Sequence, residues 1–327
     1  MSILVTGAAG FIGFHLSLRL LSNGIKVIGI DNLNSYYDVK LKEARLTNLK
    51  NKANFEFYQC NISNRDELFS LLGDNHGITN IVHLAAQAGV RYSLVNPYAY
   101  VETNVMGQLV ILELCKKLPN IQHLVYASSS SVYGGNKKLP FSEDDRVDNP
   151  VSLYAATKKA DELMASAYAH LYEIPITGLR FFTVYGPWGR PDMSAFIFTK
   201  AIIEGSPIPV FNDGKMSRDF TYIDDIIDGI ERVIDINDSH KVRSTQHQVY
   251  NIGNNKPEPL LRYIEILEGS IGKSAIIEFQ PMQPGDVLET YADIAAIQHD
   301  FGFIPQVPIE QGIPMFVDWY KDYYKIK

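Results

Sequence analysis

The chain has 327 residues, 46% hydrophobic and 20% charged, with 30 basic against 37 acidic side chains and a formal charge of −7. That balance excludes a disordered or fibrous chain, and with no Lys/Arg-rich run it argues against a nucleic-acid partner. At 327 residues, two medium domains are expected, and 23 Gly with 16 Pro are too few for long low-complexity linkers.

The first half alternates short β-branched runs with amphipathic segments of helix length. Ser2–Val5 reads as a strand, Phe11–Ser22 as a helix and Lys26–Asp31 as a second strand. Further strands are expected at Phe55–Ile62, Asn80–Ala85 and His123–Ser128, with helices at Arg65–Leu72, Tyr98–Leu118 and Ala155–Tyr172. Strands apolar almost throughout, alternating with helices, imply a parallel sheet covered on both faces, an α/β doubly wound (Rossmann-like) fold with a smaller α+β unit after it. Beyond Phe181, prolines at 187, 191, 207 and 209 break the alternation, so a boundary is placed near residue 180, giving units 1–180 and 181–327. A helix at Asp224–Ile234 and a strand at Val249–Gly253 suggest that the chain returns to the first unit near 224–254.

The uncharged stretch before Arg19 has no basic leader and three glycines interrupt it, so it reads as folded chain rather than a targeting segment. No run approaches the roughly 20 apolar residues of a membrane span. Cys60 and Cys115 fall in strand and helix patterns and read as small buried hydrophobes, not a disulfide framework. A soluble protein of the reducing cytoplasm, without membrane partner or metal site, is the expectation.

Gly7, Gly10 and Gly13 lie between the first strand and the first helix. Such glycines permit a tight turn, close approach of backbone to a pyrophosphate and close helix packing, while the helix N-terminus offers free N–H groups to the anion. Asp31 ends the second strand, where a carboxylate accepts from both ribose hydroxyls of an adenosine and repels a 2′-phosphate, which favours NAD over NADP. The bland alternative for Asp31 is a strand-end cap. Tyr154 and Lys158, four apart, project from one helix face, and an ammonium there favours the phenolate of a group whose free pKa is about 10. Ser128, Ser129, Ser130 and Ser131 follow the fifth strand, at the sheet end where ligands of such folds bind, or else form a polar capping loop.

The glycine loop, the acid after strand two, His83-Leu84-Ala85-Ala86, the serine run before Val132-Tyr133-Gly134 and Tyr154-x-x-x-Lys158, in that order, resemble the extended short-chain dehydrogenase/reductase family of nucleotide-sugar enzymes. The resemblance covers nearly the whole chain and implies NAD as cofactor. It places Ser129, Tyr154 and Lys158 in catalysis. Around the cofactor it places Gly7, Gly10, Phe11, Ile12, Gly13, Asp31, Asn32, Asn61, Ile62, Leu84, Ala85 and Ala86, together with Tyr154 and Lys158. Asn61 stands where the family usually has aspartate.

Three segments, 31–38, 88–93 and 180–193, resemble the UDP-glucuronate 4-epimerase group in particular. The likeness implies a UDP-sugar substrate held by Arg91, Ser129, Ser130, Ser131, Thr183 and Arg190, with Val210 and Phe211 at the uracil, Arg218 at the diphosphate and Asp286 at the ribose. Thr183 replaces an asparagine expected beside a neutral sugar, and Arg190 suits a sugar carboxylate by charge-assisted bonds, although a surface or interdomain ion pair is the alternative. Gln283 stands where galactose epimerases have arginine, and Lys200 is the candidate replacement. Oxidation at carbon 4, turnover of the keto sugar and reduction on its other face is the implied reaction, most naturally UDP-glucuronate to UDP-galacturonate. Decarboxylation, another UDP-hexose, and an NAD-sensing interaction protein of the same fold are the alternatives. Surplus apolar positions on two helices (Val101, Val105, Leu109, Leu112; Leu163, Met164, Ala167, Leu171) suggest a homodimer, or simply burial within one chain.

Overall fold

The structure is a computed structural model that describes residues 2–73, 77–234, 247–283 and 287–326. In chain order it runs β1 (Ser2–Thr6), α1 (Phe11–Ser22), β2 (Lys26–Asp31), α2 (Val39–Lys50), β3 (Phe55–Gln59), α3 (Arg65–Leu72) and β4 (Ile78–His83). Two short helices, α4 (Tyr92–Val95) and α5 (Pro97–Tyr100), lead through a π-turn at Val101–Met106 into α6 (Gly107–Lys117), β5 (His123–Ser129), α7 (Leu153–Tyr172) and β6 (Ile176–Phe181). The remainder comprises β7 (Thr183–Tyr185), α8 (Ser194–Glu204), β8 (Pro207–Phe211), β9 (Ser217–Tyr222) and α9 (Ile223–Ile234). After these come β10 (His247–Ile252), β11 (Pro257–Pro259), α10 (Leu260–Ile271), β12 (Ile276–Gln280), α11 (Ala295–Phe301) and α12 (Ile309–Tyr323).

Seven strands form one parallel sheet in the order β10-β6-β5-β4-β1-β2-β3. Side chains alternate across it: Ile3 and Val5 of β1 enter one apolar cluster while Leu4 enters the other, and Val27 of β2 likewise opposes Ile28 and Ile30. Both faces are therefore dry, which is why these strands are apolar at consecutive positions. The order reverses between β1 and β4, so the carboxyl ends of these strands frame the crevice in which such sheets bind ligands. β10 joins β6 in register, Asn251 opposite Arg180 and Ile252 opposite Phe181. Two further sheets, β11-β9-β7 and β12-β8, form the rest of the molecule with α8, α10 and α12.

The helix expected at 98–118 is present from Pro97 to Lys117, but its middle winds as a π-helix at Val101–Met106, where buried Asn104 reaches the backbone of Gln87 (2.8 and 3.1 Å) and the Thr157 hydroxyl (3.0 Å). Just beyond, a Cβ at Gly107 would stand 2.5 Å from the Ile62 Cδ1, so any larger residue there would make the Ile62 side chain shift. Helix α2 was not among the expected elements; its inner face holds Lys42 and Arg45 beside Leu41, Leu46 and Leu49. Asp38 caps it, its carboxylate accepting from Lys40 N.

Candidate active site

One cleft of about 430 Å³ runs along the carboxyl ends of the central strands. At one end lies the β1–α1 loop. Gly7 has φ +70°, and a Cβ there would come within 2.9 Å of Ala85 N; a Cβ on Gly13 would stand 2.1 Å from Gly7 O. The turn thus closes only with glycine at these positions. No side chain caps α1 and no acid sits in its first turn, which leaves its positive end facing the cleft at Phe11 and Ile12.

Asp31, at the tip of β2, accepts from Ala9 N at 3.1 Å and Leu33 N at 2.8 Å, and its carboxylate lines the same cleft with Asn32. Burial pushes its pKa up, opposed by nearby Lys42. Ile62, Leu84, Ala85 and Ala86 complete this wall. Asn61 does not line it; its amide donates to Glu102 at 3.3 Å and its carbonyl oxygen accepts from Ser63 N. A continuous groove with an uncapped helix end and a buried carboxylate, walled by backbone too close for side chains, fits a dinucleotide.

At the other end stand Ser129, Ser130, Ser131, Tyr154, Lys158, Thr183 and Arg190. The four serines divide by role. Ser128 donates to Glu162 at 2.7 Å and is thereby tied to the scaffold, whereas the Ser129 hydroxyl accepts from Ser131 N at 3.1 Å. Tyr154 opens α7, which Ser152 caps by accepting from Ala155 N, and its ring lies edge-on to Tyr100 at 6.0 Å. Lys158 is buried and donates to Ala127 O and to Asp161 Oδ2, each at 3.0 Å. Beneath them, Glu162 accepts from Arg180 at 2.8 and 2.9 Å, Arg180 donates to the Tyr133 hydroxyl, and Tyr133 donates to Asn251. This buried chain locks β5, α7, β6 and β10 together directly under the serines. His83 is fully buried against the Thr6 hydroxyl (2.7 Å), and desolvation pushes its pKa down to about 3, so it stays neutral.

Arg190 reaches the cleft with one edge already engaged: Nε donates to Asp192 Oδ1 at 3.0 Å and Nη2 to Oδ2, while the Tyr36 hydroxyl donates to the same carboxylate at 3.0 Å. This is a local, partly buried ion pair two residues apart rather than the surface or interdomain pair weighed from the sequence, and it fixes the guanidinium at the cleft wall. Arg218 also lines the cleft, its guanidinium donating to Val287 O and Leu288 O. Besides Asn61, four residues expected from the sequence stand outside the walls. Arg91 stacks its guanidinium 4.5 Å over the Phe211 ring, Val210 is buried in β8, and Lys200 is exposed on α8. Asp286 lies outside the described residues.

The sequence reading missed several groups. Lys42 donates to Asn34 O and Oδ1 and lines the cleft. Fully buried Arg45 donates to Ala9 O, the Tyr37 hydroxyl, Trp188 O and Gly189 O, tying the phosphate-loop side to the segment that carries Arg190. Their spacing, two cations three apart among the leucines at 41, 46 and 49, was the available signal.

Residues 3–253 match the NAD dependent epimerase/dehydratase family. Protein CapI of Staphylococcus aureus is 50% identical, across 99% of this chain and all of the relative. A probable UDP-glucuronate 4-epimerase of Rhizobium meliloti (strain 1021) is 45% identical, across 99% and 98%. Among solved structures, the UDP-glucuronic acid 4-epimerase of Bacillus cereus in complex with UDP-glucuronic acid and NAD superposes with a TM-score of 0.90 at 36% identity, covering 99% of this chain and 100% of that one. The chain belongs to the NAD-dependent epimerase/dehydratase family, and NAD is its cofactor. Two of these similar proteins are named as UDP-glucuronate 4-epimerases.

Proposed function

We propose that the protein interconverts UDP-glucuronate and UDP-galacturonate by epimerisation at carbon 4 of the sugar. The observation that carries this reading is a single cleft joining the glycine loop and Asp31 to Ser129, Tyr154, Lys158, Thr183 and Arg190. The full-length similarity to UDP-glucuronate 4-epimerases supports the choice of sugar.

Bound NAD supplies the hydride acceptor and, after the sugar has turned, the donor. Gly7, Gly10, Gly13 and the α1 N-terminus hold its pyrophosphate, Asp31 and Asn32 its adenosine ribose, and Leu84, Ala85 and Ala86 its other flank. Tyr154 Oη takes the proton of the carbon-4 hydroxyl and later returns it to the same oxygen, while it is the hydride that comes back to the opposite face of carbon 4. Lys158 sits four residues on, where its charge favours the phenolate, and Ser129 orients the reacting oxygen by a hydrogen bond. Because no net redox occurs, the cofactor stays bound through turnover.

A 4-keto sugar bearing a carboxylate on the adjacent carbon is a β-keto acid, prone to lose carbon dioxide. Thr183 and Arg190 prevent this by holding the carboxylate near the carbonyl plane, which denies the carboxyl carbon–carbon bond overlap with the ketone. Asp192 and Tyr36 support that role by immobilising the guanidinium. Ser130 and Ser131 line the sugar, and Arg218, the one of the expected UDP-binding residues on the described cleft wall, receives the diphosphate. On this reading residues 1–180 with the return near 224–254 form the NAD-binding unit, and the other residues of 181–327 the UDP-sugar unit.

The test is Tyr154→Phe, which should abolish turnover while leaving UDP-sugar and NAD binding intact; unchanged turnover would remove the proposed base. We further infer a homodimer. Leu94, Tyr98, Val101, Leu163 and Leu171 leave apolar surface exposed on α4–α7, although Leu112 is buried within the chain. A monomeric mass by light scattering at micromolar concentration would contradict it. Both cysteines are free and buried, which suits the cytoplasm, and no helix among the described residues is long and apolar enough to cross a membrane.

A further inference from the structure

Tyr154, Lys158 and Asp161 occupy positions i, i+4 and i+7 of α7, so a phenol, an ammonium and a carboxylate share one helix face over two turns. The carboxylate is 1% exposed and stands behind Lys158, outside the walls of the cleft. Its Oδ2 accepts from Lys158 Nζ at 3.0 Å, while Oδ1 has no hydrogen-bond partner among the described residues. An ammonium has three donors. Two of those on Lys158 are committed, to Asp161 and to Ala127 O, which leaves one direction, toward the cleft.

As a structural ion pair this is a poor one. A buried carboxylate with an unmet oxygen carries a desolvation cost, and burial pushes the Asp161 pKa up to about 6 despite the ammonium beside it. Costly, strained or incompletely satisfied groups beside a reacting centre point to function rather than to stability. We propose that Asp161 is a positioning residue for the proton transfer at Tyr154: it aims the Lys158 ammonium and subtracts from the positive field under which the phenol ionises. This rests on the reading of Tyr154 as the base.

The charges around Asp161 are few. On its own helix these are Lys158 and Glu162, the latter held by Arg180 from β6. From β4 faces His83, kept neutral by burial, and from β5 Tyr126, whose phenol burial pushes well up. Seven residues of helix place the carboxylate about 10 Å from the phenol, and at an effective dielectric of about 20 a unit charge there corresponds to about one pH unit.

The experiment uses Asp161→Asn, which keeps an oxygen for Lys158, and Asp161→Ser, which removes the charge in a smaller volume. Turnover of UDP-glucuronate is followed against pH. In parallel, without sugar, ionisation of Tyr154 in the NAD-bound protein is read as the near-ultraviolet phenolate difference between each form and its Tyr154→Phe counterpart. Both variants should ionise about one unit lower than wild type, the profiles separating above about pH 6, where Asp161 is charged, and converging below it, with KM unchanged. Profiles that superpose on wild type, or shift upward, overturn the proposal; so does failure of both variants to fold, which would make the residue structural. Absence of wild-type turnover would instead count against the substrate reading, and the sugar-free titration would still decide the role of Asp161.

Discussion

Replacing Glu162 with alanine should destabilise the protein by about 3 to 5 kcal/mol, because it leaves a buried guanidinium without its counter-charge. Glu162 and Arg180 are each 3% exposed. The carboxylate accepts two bonds from Arg180, at 2.8 and 2.9 Å, and a third from Ser128 at 2.7 Å. Without it, the Arg180 bond to the Tyr133 hydroxyl remains, and Ser128 loses its acceptor. With an unfolding entropy of about 2 cal/mol/K per residue, that loss lowers the thermal midpoint by about 4 to 7 °C. The assay is thermal unfolding at pH 7 with NAD content matched between proteins, since bound cofactor shifts the midpoint by mass action. Arg180→Ala should cost a similar amount, and the double variant clearly less than the sum, because the two residues act as one unit. A midpoint change below about 1 °C, or strictly additive losses, would refute the idea that this pair carries the strain of the buried network.

Three other outcomes follow from the same geometry. Gly13→Ala places a methyl group 2.1 Å from Gly7 O, so the loop must open; purified variant should retain at least about tenfold less NAD, and undiminished content would contradict the tight-turn argument. Arg190→Ala should raise KM for UDP-glucuronate by at least about tenfold while affecting UDP-glucose much less, and equal losses would remove the carboxylate role. His15, which donates to Pro187 O at 2.9 Å, is held by burial at a pKa of about 4, below its ordinary 6.5. The unfolded chain therefore binds that proton first, and stability is lost as pH falls from 6.5 toward 4. Urea midpoints of wild type and His15→Asn should differ by a constant amount above pH 6.5 and by a changing amount below it; a constant difference throughout would refute the assignment.

The central sheet was legible because both of its faces are covered, so each strand is apolar at consecutive positions and the glycines between β1 and α1 punctuate the pattern. Tyr154 and Lys158 were legible by spacing. Helix α2 was not, because the positions that should be apolar carry Lys42 and Arg45, whose charges are satisfied by Asn34, Tyr37 and backbone carbonyls remote in sequence. The π-turn was hidden for a similar reason: nothing local distinguishes Asn104 until Gln87 and Thr157 are folded against it. Arg190 was visible as a candidate cation for the site, but the Tyr36 hydroxyl that also bonds its partner Asp192 comes from the loop after β2, remote in sequence. Asp161 stood in plain helical register with Lys158, yet only the fold reveals that it is buried.

The most direct test of the account is to incubate the purified protein with UDP-glucuronate and no added NAD, then resolve the nucleotide sugars and any carbon dioxide. UDP-galacturonate without carbon dioxide is the expected product, made by cofactor that never left the cleft. UDP-xylose with carbon dioxide, or an inert UDP-glucuronate alongside conversion of UDP-glucose, would contradict it.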